Sequence, residues 1–144
     1  MKNSGRIEFM IKVIYGAKGT GKTKMKIDAA SAQVETAKGH LIFITDSKRG
    51  MYDLERDVRF IDTSEYDIAG EAALCGFIKG VIAGNHDNEY EFIDGVVRIA
   101  GKPAAELAAF FYMLDKVSKS NNLVITVSVS AAKEELPDFV TKYL

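Results

Sequence analysis

The chain has 144 residues, of which 47% are hydrophobic and 27% are charged, and its formal net charge at pH 7 is −1. These values are typical of one globular domain and argue against a protein that binds nucleic acid or an anionic membrane through excess positive charge. The one cysteine, Cys75, excludes an internal disulfide and a multi-cysteine metal site, which fits a reducing cytoplasm. No stretch has the apolar length of a transmembrane helix, so we predict a cytoplasmic protein with no membrane partner.

The first strand is predicted directly before a glycine-rich segment. Residues 1–9 are polar and are predicted to form an N-terminal arm, while residues 10–144 are predicted to form one minimal domain. The apolar, β-branched run at 10–15 predicts a buried strand that ends at Gly16. Beyond the glycine-rich segment, apolar residues recur at helical spacing until Gly39, which predicts a helix.

The glycine-rich segment has the spacing G-x-x-x-x-G-K-[ST] and reads Gly16-Ala17-Lys18-Gly19-Thr20-Gly21-Lys22-Thr23. Its glycines allow backbone N–H groups to approach a polyphosphate, and the helix that follows adds the positive end of its dipole. Lys22 is expected to contact the terminal phosphates as a catalytic residue, and the Thr23 hydroxyl is expected to bind Mg²⁺. Lys24 adds a further positive charge beside the bound phosphate. The segment therefore predicts a site for a nucleoside triphosphate.

The remaining elements predict an α/β fold with three layers, in which a mostly parallel sheet of about five strands has helices on both faces. Arg59 places one predicted strand at or near a sheet edge. Further strands are predicted at 41–45, 58–61, 90–94 and 123–129, and further helices are predicted at 66–83, from Pro103 to about residue 117, and at 138–143.

Polar residues follow several of these strands. Because ligands of open parallel sheets lie beyond the carboxyl ends of the strands, we expect the glycine-rich segment, Asp46, Asp94 and residues 128–130 to gather at one rim. Asp94 is the expected Mg²⁺ partner opposite Thr23, and Asp46 is the second choice. Ser128 or Ser130 would contact the γ-phosphate, or these hydroxyls would be satisfied within the sheet.

Through residues 16–23 and Phe92-Ile93-Asp94, the chain resembles P-loop NTPases. The long interval between the two motifs is similar to the division in which an extra strand separates the loop strand from the strand of the second aspartate. Members of that division usually carry a glutamate directly after this aspartate to polarise the attacking water, whereas this chain has Gly95. Glu134 and Glu135, after the last strand, are the candidates to replace it. Glu91 is expected to point away from the nucleotide.

The chain is also similar to a group of short bacterial ATP-binding proteins of uncharacterised function, some of which carry a label borrowed from twitching-motility ATPases. The resemblance rests on the two motifs together with Tyr52-Asp53-Leu54 and Glu134-Glu135-Leu136-Pro137. It implies a fold and a ligand, ATP with Mg²⁺, and it implies no substrate.

Three functions fit these features. The first is an ATP-binding protein whose Mg²⁺-dependent hydrolysis is slow or activated by a partner. The partners expected are a nucleoside triphosphate and either a protein partner or further copies of this chain in a homo-oligomer. The second is a small-molecule or nucleotide kinase, in which the acceptor is the nucleophile and Lys48 and Arg49 belong to a lid. The third is a non-enzymatic module that senses a nucleotide and reports it to a partner. No guanine-specific Asn-Lys-x-Asp sequence occurs, which favours adenine.

Overall fold

In the computed structural model, residues 10–16, 40–47, 58–85 and 87–144 are described, and the description below concerns these residues. Five strands form one parallel sheet in the order β1-β5-β4-β2-β3. The strands are β1 (Ile11–Gly16), β2 (His40–Thr45), β3 (Val58–Asp62), β4 (Asn88–Ile93) and β5 (Val124–Ser130). The α-helices within these ranges are α1 (Glu71–Ala83), α2 (Val96–Ala100), α3 (Ala108–Asn121) and α4 (Asp138–Thr141).

Side chains alternate between the two faces of the sheet, and each face carries an apolar cluster. One face belongs to the main core, where strand residues such as Ile42, Ile93 and Ile125 pack with buried residues from all four described helices. The opposite face carries the second cluster, formed by the buried residues Leu41, Phe43, Val58 and Phe92. The rings of Phe43 and Phe92 stack at a centroid distance of 6.2 Å. Apolar residues on both faces explain why these strands read as continuous hydrophobic runs.

The fold class and the strand order agree with the sequence. The α/β fold with a five-stranded parallel sheet is confirmed. β5 lies between β1 and β4, as expected for the division in which an extra strand separates the two motifs. β3, which contains Arg59, lies at one end of the described sheet. The helix expected before Gly39 lies outside the described residues, so helices on both faces stay a prediction.

The helix predicted at 66–83 is shorter than expected. A 3-10 turn spans Thr63–Tyr66, and α1 begins only at Glu71. The intervening backbone cannot be helical because Asp67 and Gly70 have φ values of 54° and 93°. Two glycines, Gly76 and Gly80, lie within α1. A Cβ at either position would meet no described atom within 4 Å, so no described neighbour approaches closely enough to require a glycine there. α1 is held instead by its buried residues Leu74, Ile78 and Ile82.

Two other helices differ from the sequence prediction. Pro103 precedes the 3-10 turn Ala104–Glu106, and α3 begins at Ala108, so the proline does not open the α-helix itself. α2 was not expected at all, because it has only five residues and lies between Gly95 and Gly101, which have φ values of 81° and 69°. This short helix carries Arg98 to the carboxyl edge of the sheet. α4 ends at Thr141, slightly before the expected end.

Among the helices of the described ranges, none combines the length and the apolar character that crossing a bilayer requires.

Candidate functional site

Asp94 is the first residue after β4, at the carboxyl edge of the sheet. Its backbone N–H donates to the carbonyl oxygen of Ile44 at 2.8 Å, which continues the pairing of β2 with β4 beyond the last strand residue. The alternation of β4 puts the Asp94 side chain on the face of Phe92. The side chain is 16% exposed, so it is largely buried but still in contact with solvent.

Two hydroxyl groups fix the Asp94 carboxylate. Thr45, at the end of β2, donates from Oγ1 to Oδ2 at 3.0 Å, and Ser128 of β5 donates from Oγ to Oδ1 at 2.9 Å. Both donors are buried, with exposed fractions of 1% and 3%. Because the donors come from the strands on either side of β4, the carboxylate is held from both sides. A carboxylate oxygen has two lone-pair sites, and each of these hydroxyl hydrogen bonds uses one of them.

A guanidinium lies beside this carboxylate. Arg98 donates from Nε to Oδ2 of Asp46 at 2.9 Å and from Nη2 to Oδ1 of Asp46 at 2.8 Å, which is a bidentate ion pair. Its Nη2 also lies 3.9 Å from Oδ2 of Asp94. The hydrogen bond to Asp46 is the main cause that raises the pKa of Arg98. Among the described side chains, two carboxylates share this guanidinium, so these three groups together carry a formal charge of −1.

Gly95 makes room for this ion pair. Its φ of 81° lies in the left-handed region. A Cβ at this position would lie 2.7 Å from Nη2 of Arg98 and 2.8 Å from Oδ1 of Asp46. Any side chain directly after Asp94 would therefore displace the pair. The space that a side chain at this position would occupy is filled here by Asp46 and Arg98.

Only some of the predicted site residues lie within the described part of the chain. Gly16 ends β1 and stands in register with Ser130 at the end of β5, so the glycine-rich segment starts at the same edge as Asp94. The other predicted phosphate-binding residues, Ala17, Lys18, Gly19, Thr20, Gly21, Lys22, Thr23 and Lys24, lie outside the described residues. Asp46 is placed at this edge but is bound to Arg98.

Ser128 lies at the rim as expected, and its hydroxyl contacts Asp94. Ser130 lies on the same face and is exposed. Glu134 and Glu135 belong to the 3-10 turn Lys133–Glu135, which follows β5, and both are exposed. Oε1 of Glu135 accepts a hydrogen bond from the backbone N–H of Ala132 at 2.8 Å, so this carboxylate caps its own turn.

Sequence reasoning missed the contributions of Thr45 and Arg98. The sequence predicts Thr45 only as the last residue of a strand. Its contact with Asp94 requires β2 to lie next to β4, which the sequence pattern does not specify. Arg98 is one of several arginines in the chain, and no motif spacing distinguishes it from the others. In the sequence, Gly95 is followed by a short apolar segment that contains this arginine, but such a pattern is too common to identify Arg98 as a site residue.

The residues present fit a magnesium ion bound with phosphate. Mg²⁺ prefers oxygen ligands and is usually held by one or two carboxylates together with water and phosphate oxygens. Asp94 supplies an oriented carboxylate of this kind. No three His, Cys, Asp or Glu side chains converge as a metal site within the part of the chain that the structure describes. A cation at Asp94 would therefore need ligands from phosphate, from water or from Thr23.

The fold is similar to that of solved structures of other proteins. One of them is the flagellar accessory protein FlaH from Methanocaldococcus jannaschii, with a TM-score of 0.61 and 13% sequence identity over 96% of this chain and 68% of that chain. No protein-family model and no curated protein sequence matches the chain. At this level of identity the likeness shows the fold alone, which is the α/β fold with a five-stranded parallel sheet described above.

Proposed function

We propose that this protein binds ATP together with Mg²⁺ at the carboxyl edge of the sheet, and that it hydrolyses ATP slowly or only when a partner activates it. The observation that carries the proposal is the Asp94 carboxylate, which Thr45 and Ser128 hold at 3.0 and 2.9 Å. It lies at the edge where β1 delivers Gly16, the first residue of the phosphate-binding motif. The P-loop NTPase-like fold supports a nucleotide as the ligand.

The chain offers a residue for each task in binding. The backbone of residues 16–23 and the Lys22 ammonium would hold the phosphates, and Thr23 and Asp94 would hold the metal. Bound magnesium would neutralise charge on the phosphates and so favour attack at the terminal phosphorus. Thr45 and Ser128 keep the Asp94 carboxylate in one orientation, which limits its freedom before the cation arrives. The lack of a guanine motif favours ATP over GTP.

Slow hydrolysis follows from the residues beside Asp94. Gly95 has no side chain to polarise a water, and the Asp46–Arg98 pair fills the space that a side chain there would need. Arg98 is held by Asp46 at two positions and is not free in this arrangement to stabilise charge on a phosphate. Activation by an arginine from a protein partner or a second copy of the chain would supply the missing charge.

Equilibrium binding of ATP and GTP, with and without Mg²⁺, tests the proposal. We expect ATP to bind more tightly with Mg²⁺, Lys22→Ala to abolish binding, and Asp94→Asn to remove only the Mg²⁺-dependent gain. Asp87→Asn is the matched control, because Asp87 is exposed and directly precedes the opposite end of β4. Failure of the wild-type protein to bind any nucleoside triphosphate would overturn the proposal.

Multiple-turnover phosphate release then measures the activity. A low rate that Lys22→Ala abolishes supports a slow ATPase. Tight binding with no release, even at high protein concentration, contradicts intrinsic hydrolysis and favours a nucleotide-sensing module or a kinase that lacks its acceptor.

A further inference from the structure

Glu91 lies in the interior of β4, on the face opposite Asp94. It stands in register with Ile42 on β2 and with Ile125 on β5. Both isoleucines are buried members of the main core, together with Ile78 and Ile82 of α1. Side chains in register on adjacent parallel strands share one face, so the Glu91 carboxyl group enters the apolar layer between the sheet and the helices.

Among the residues that the structure describes, no group compensates this carboxyl group. Glu91 is 0% exposed, and neither Oε1 nor Oε2 has a described hydrogen-bond partner. An ionised carboxylate in such a site is far more costly than a neutral carboxylic acid. Burial raises the pKa of Glu91 to about 8, and no charged neighbour contributes to this shift.

The charged groups on the surrounding elements have other partners or face solvent. On α1, Glu71 pairs with Lys102 at 2.7 Å, Lys79 is exposed, and Cys75 is half-buried with a pKa that burial raises. On β3, Arg59 stands in register with Ile42, which separates it from Glu91, and its side chain is exposed.

The same holds for the other helices of this face. On α3, Asp115 pairs with Lys119 at 3.0 Å, and Lys116 is exposed. On α2, Arg98 is bound to Asp46, and on α4, Asp138 is exposed. Among the described side chains, none of these cations is therefore a counter-charge for an ionised Glu91.

We propose that Glu91 is a proton-controlled switch: it is a neutral carboxylic acid in the folded protein near pH 7, and release of its proton to solvent displaces β4 and, with it, Asp94. The carboxylate left behind can be hydrated only if the helices separate from the sheet or the strand moves. Asp94 lies three residues further along the chain, directly after β4, and its amide donates to the carbonyl oxygen of Ile44, which continues the pairing of β4 with β2. A disturbance of that pairing reaches the candidate site directly.

The protonation state can be observed without any nucleotide. We expect the infrared spectrum at pH 7 to contain the carbonyl stretch of a protonated carboxylic acid, and we expect Glu91→Gln to remove it. Glu89→Gln on the same strand is the control and should leave the band unchanged. Absence of the band from the wild-type protein at pH 7 would overturn the proposal.

The coupling to Asp94 is tested by the pH dependence of its backbone amide resonance. In the wild-type protein, this resonance should shift with a midpoint near pH 8, and the shift should disappear in Glu91→Gln. A resonance that is constant from pH 6 to 9, or an equal shift in both proteins, would refute the switch. Because neither measurement uses ATP, failure of nucleotide binding leaves the result interpretable.

The direction in which pH changes the stability follows from the difference between the folded-state and unfolded-state pKa values of Glu91. The folded-state pKa is higher than the unfolded value of 4.5, so folded Glu91 keeps a proton that the unfolded chain has lost. The unfolding equilibrium constant of the wild-type protein should therefore rise about tenfold per pH unit between about pH 5 and 8, relative to Glu91→Gln. Parallel pH profiles for the two proteins would contradict a neutral buried acid.

Discussion

Two carboxyl groups, one within β4 and one directly after it, lie in opposite environments. Asp94, at the carboxyl edge, accepts a hydroxyl hydrogen bond at each oxygen and lies 3.9 Å from a guanidinium. Glu91, three residues earlier and on the other face, is fully buried, and neither of its oxygens has a hydrogen-bond partner in the described part of the chain. The first environment favours a fixed anion and the second favours a neutral acid.

The contrast shows that the face of a strand, more than the residue type, decides what a carboxyl group can do. On the Asp94 face, polar side chains from β2 and β5 reach the same edge and can serve a cation. On the Glu91 face, the neighbouring strand positions are isoleucines, which offer no polar group, so a neutral, protonated carboxyl group costs less there than an ionised one. A strand can thus place a ligand group and a titrating group a few residues apart without direct contact between them.

The sharpest test of this comparison replaces each carboxyl group by an apolar side chain of similar size. Glu91→Met should raise the free energy of unfolding by about 1–3 kcal/mol, because it removes a buried polar group that has no partner. Asp94→Leu should lower it by about 1–3 kcal/mol, because the buried hydroxyls of Thr45 and Ser128 lose their acceptor. Urea denaturation at pH 8 measures both changes, and a change of the same sign in both variants would remove the distinction.

The second prediction concerns the hydroxyl groups that orient Asp94. Thr45→Val and Ser128→Ala should each weaken Mg²⁺ binding in the presence of ATP by about 10- to 100-fold, as loss of an orienting partner does at other metal sites. Thr126→Val is the control, because Thr126 lies two residues before Ser128 on the same face of β5 and is also buried. A Mg²⁺ titration of the ATP complex measures the effect, and equal affinities in all three variants would show that orientation of Asp94 is unimportant.

The Asp94 half of the comparison was largely predictable from the sequence. Buried strands appear as apolar runs, and parallel strands bring their carboxyl ends to one edge, so Asp94, Asp46 and Ser128 were expected together. The orientation of Glu91 was also expected, since it precedes Asp94 by three positions and side chains alternate along a strand. These inferences need only the period of a strand and the order of the elements.

The contacts themselves could not be predicted. That Thr45 donates to Asp94 depends on which strand pairs with β4, and that Arg98 binds Asp46 depends on a five-residue helix between two glycines. The full burial of Glu91 depends on the helices that cover its face, which a pattern of strand residues does not reveal. The late start of α1 results from the positive φ values at Asp67 and Gly70. The apolar pattern of the sequence runs through these positions without a break, so it does not indicate where the helix begins.

The third prediction compares two glycines with left-handed backbone. Gly95→Ala should lower the free energy of unfolding by about 2 kcal/mol, since the new Cβ adds strain at positive φ and also displaces the Asp46–Arg98 pair. Gly101→Ala should cost only about 1 kcal/mol, because its Cβ meets no described atom within 4 Å. Thermal or chemical denaturation measures both.

A double-mutant cycle tests whether the Asp46–Arg98 pair causes the extra cost of Gly95→Ala. In an Arg98→Ala background the ion pair is already absent, so Gly95→Ala should then cost no more than Gly101→Ala. An unchanged cost in that background would show that strain alone, and not the ion pair, explains why glycine follows Asp94.

The smallest expected effect tests the charge beside Asp94. Arg98→Gln removes a positive charge that lies 3.9 Å from Oδ2 of Asp94 and also releases Asp46. At about 4 Å in a water-like medium, two unit charges interact by about 1 kcal/mol, so Mg²⁺ affinity should increase by about fivefold. Lys102→Gln is the control, because it removes an exposed lysine that pairs with Glu71 and not with Asp94.

Salt dependence separates this electrostatic effect from a structural one. Arg98 is 53% exposed, so the gain in Mg²⁺ affinity should shrink as ionic strength rises from about 0.01 to 0.15 M, where the screening length falls from about 30 to 8 Å. A gain that is independent of salt would indicate a rearranged site. A loss of affinity would show that Arg98 assists the bound phosphates, and the carboxylate at the edge of β4 would then depend on this cation as well as on its two hydroxyl donors.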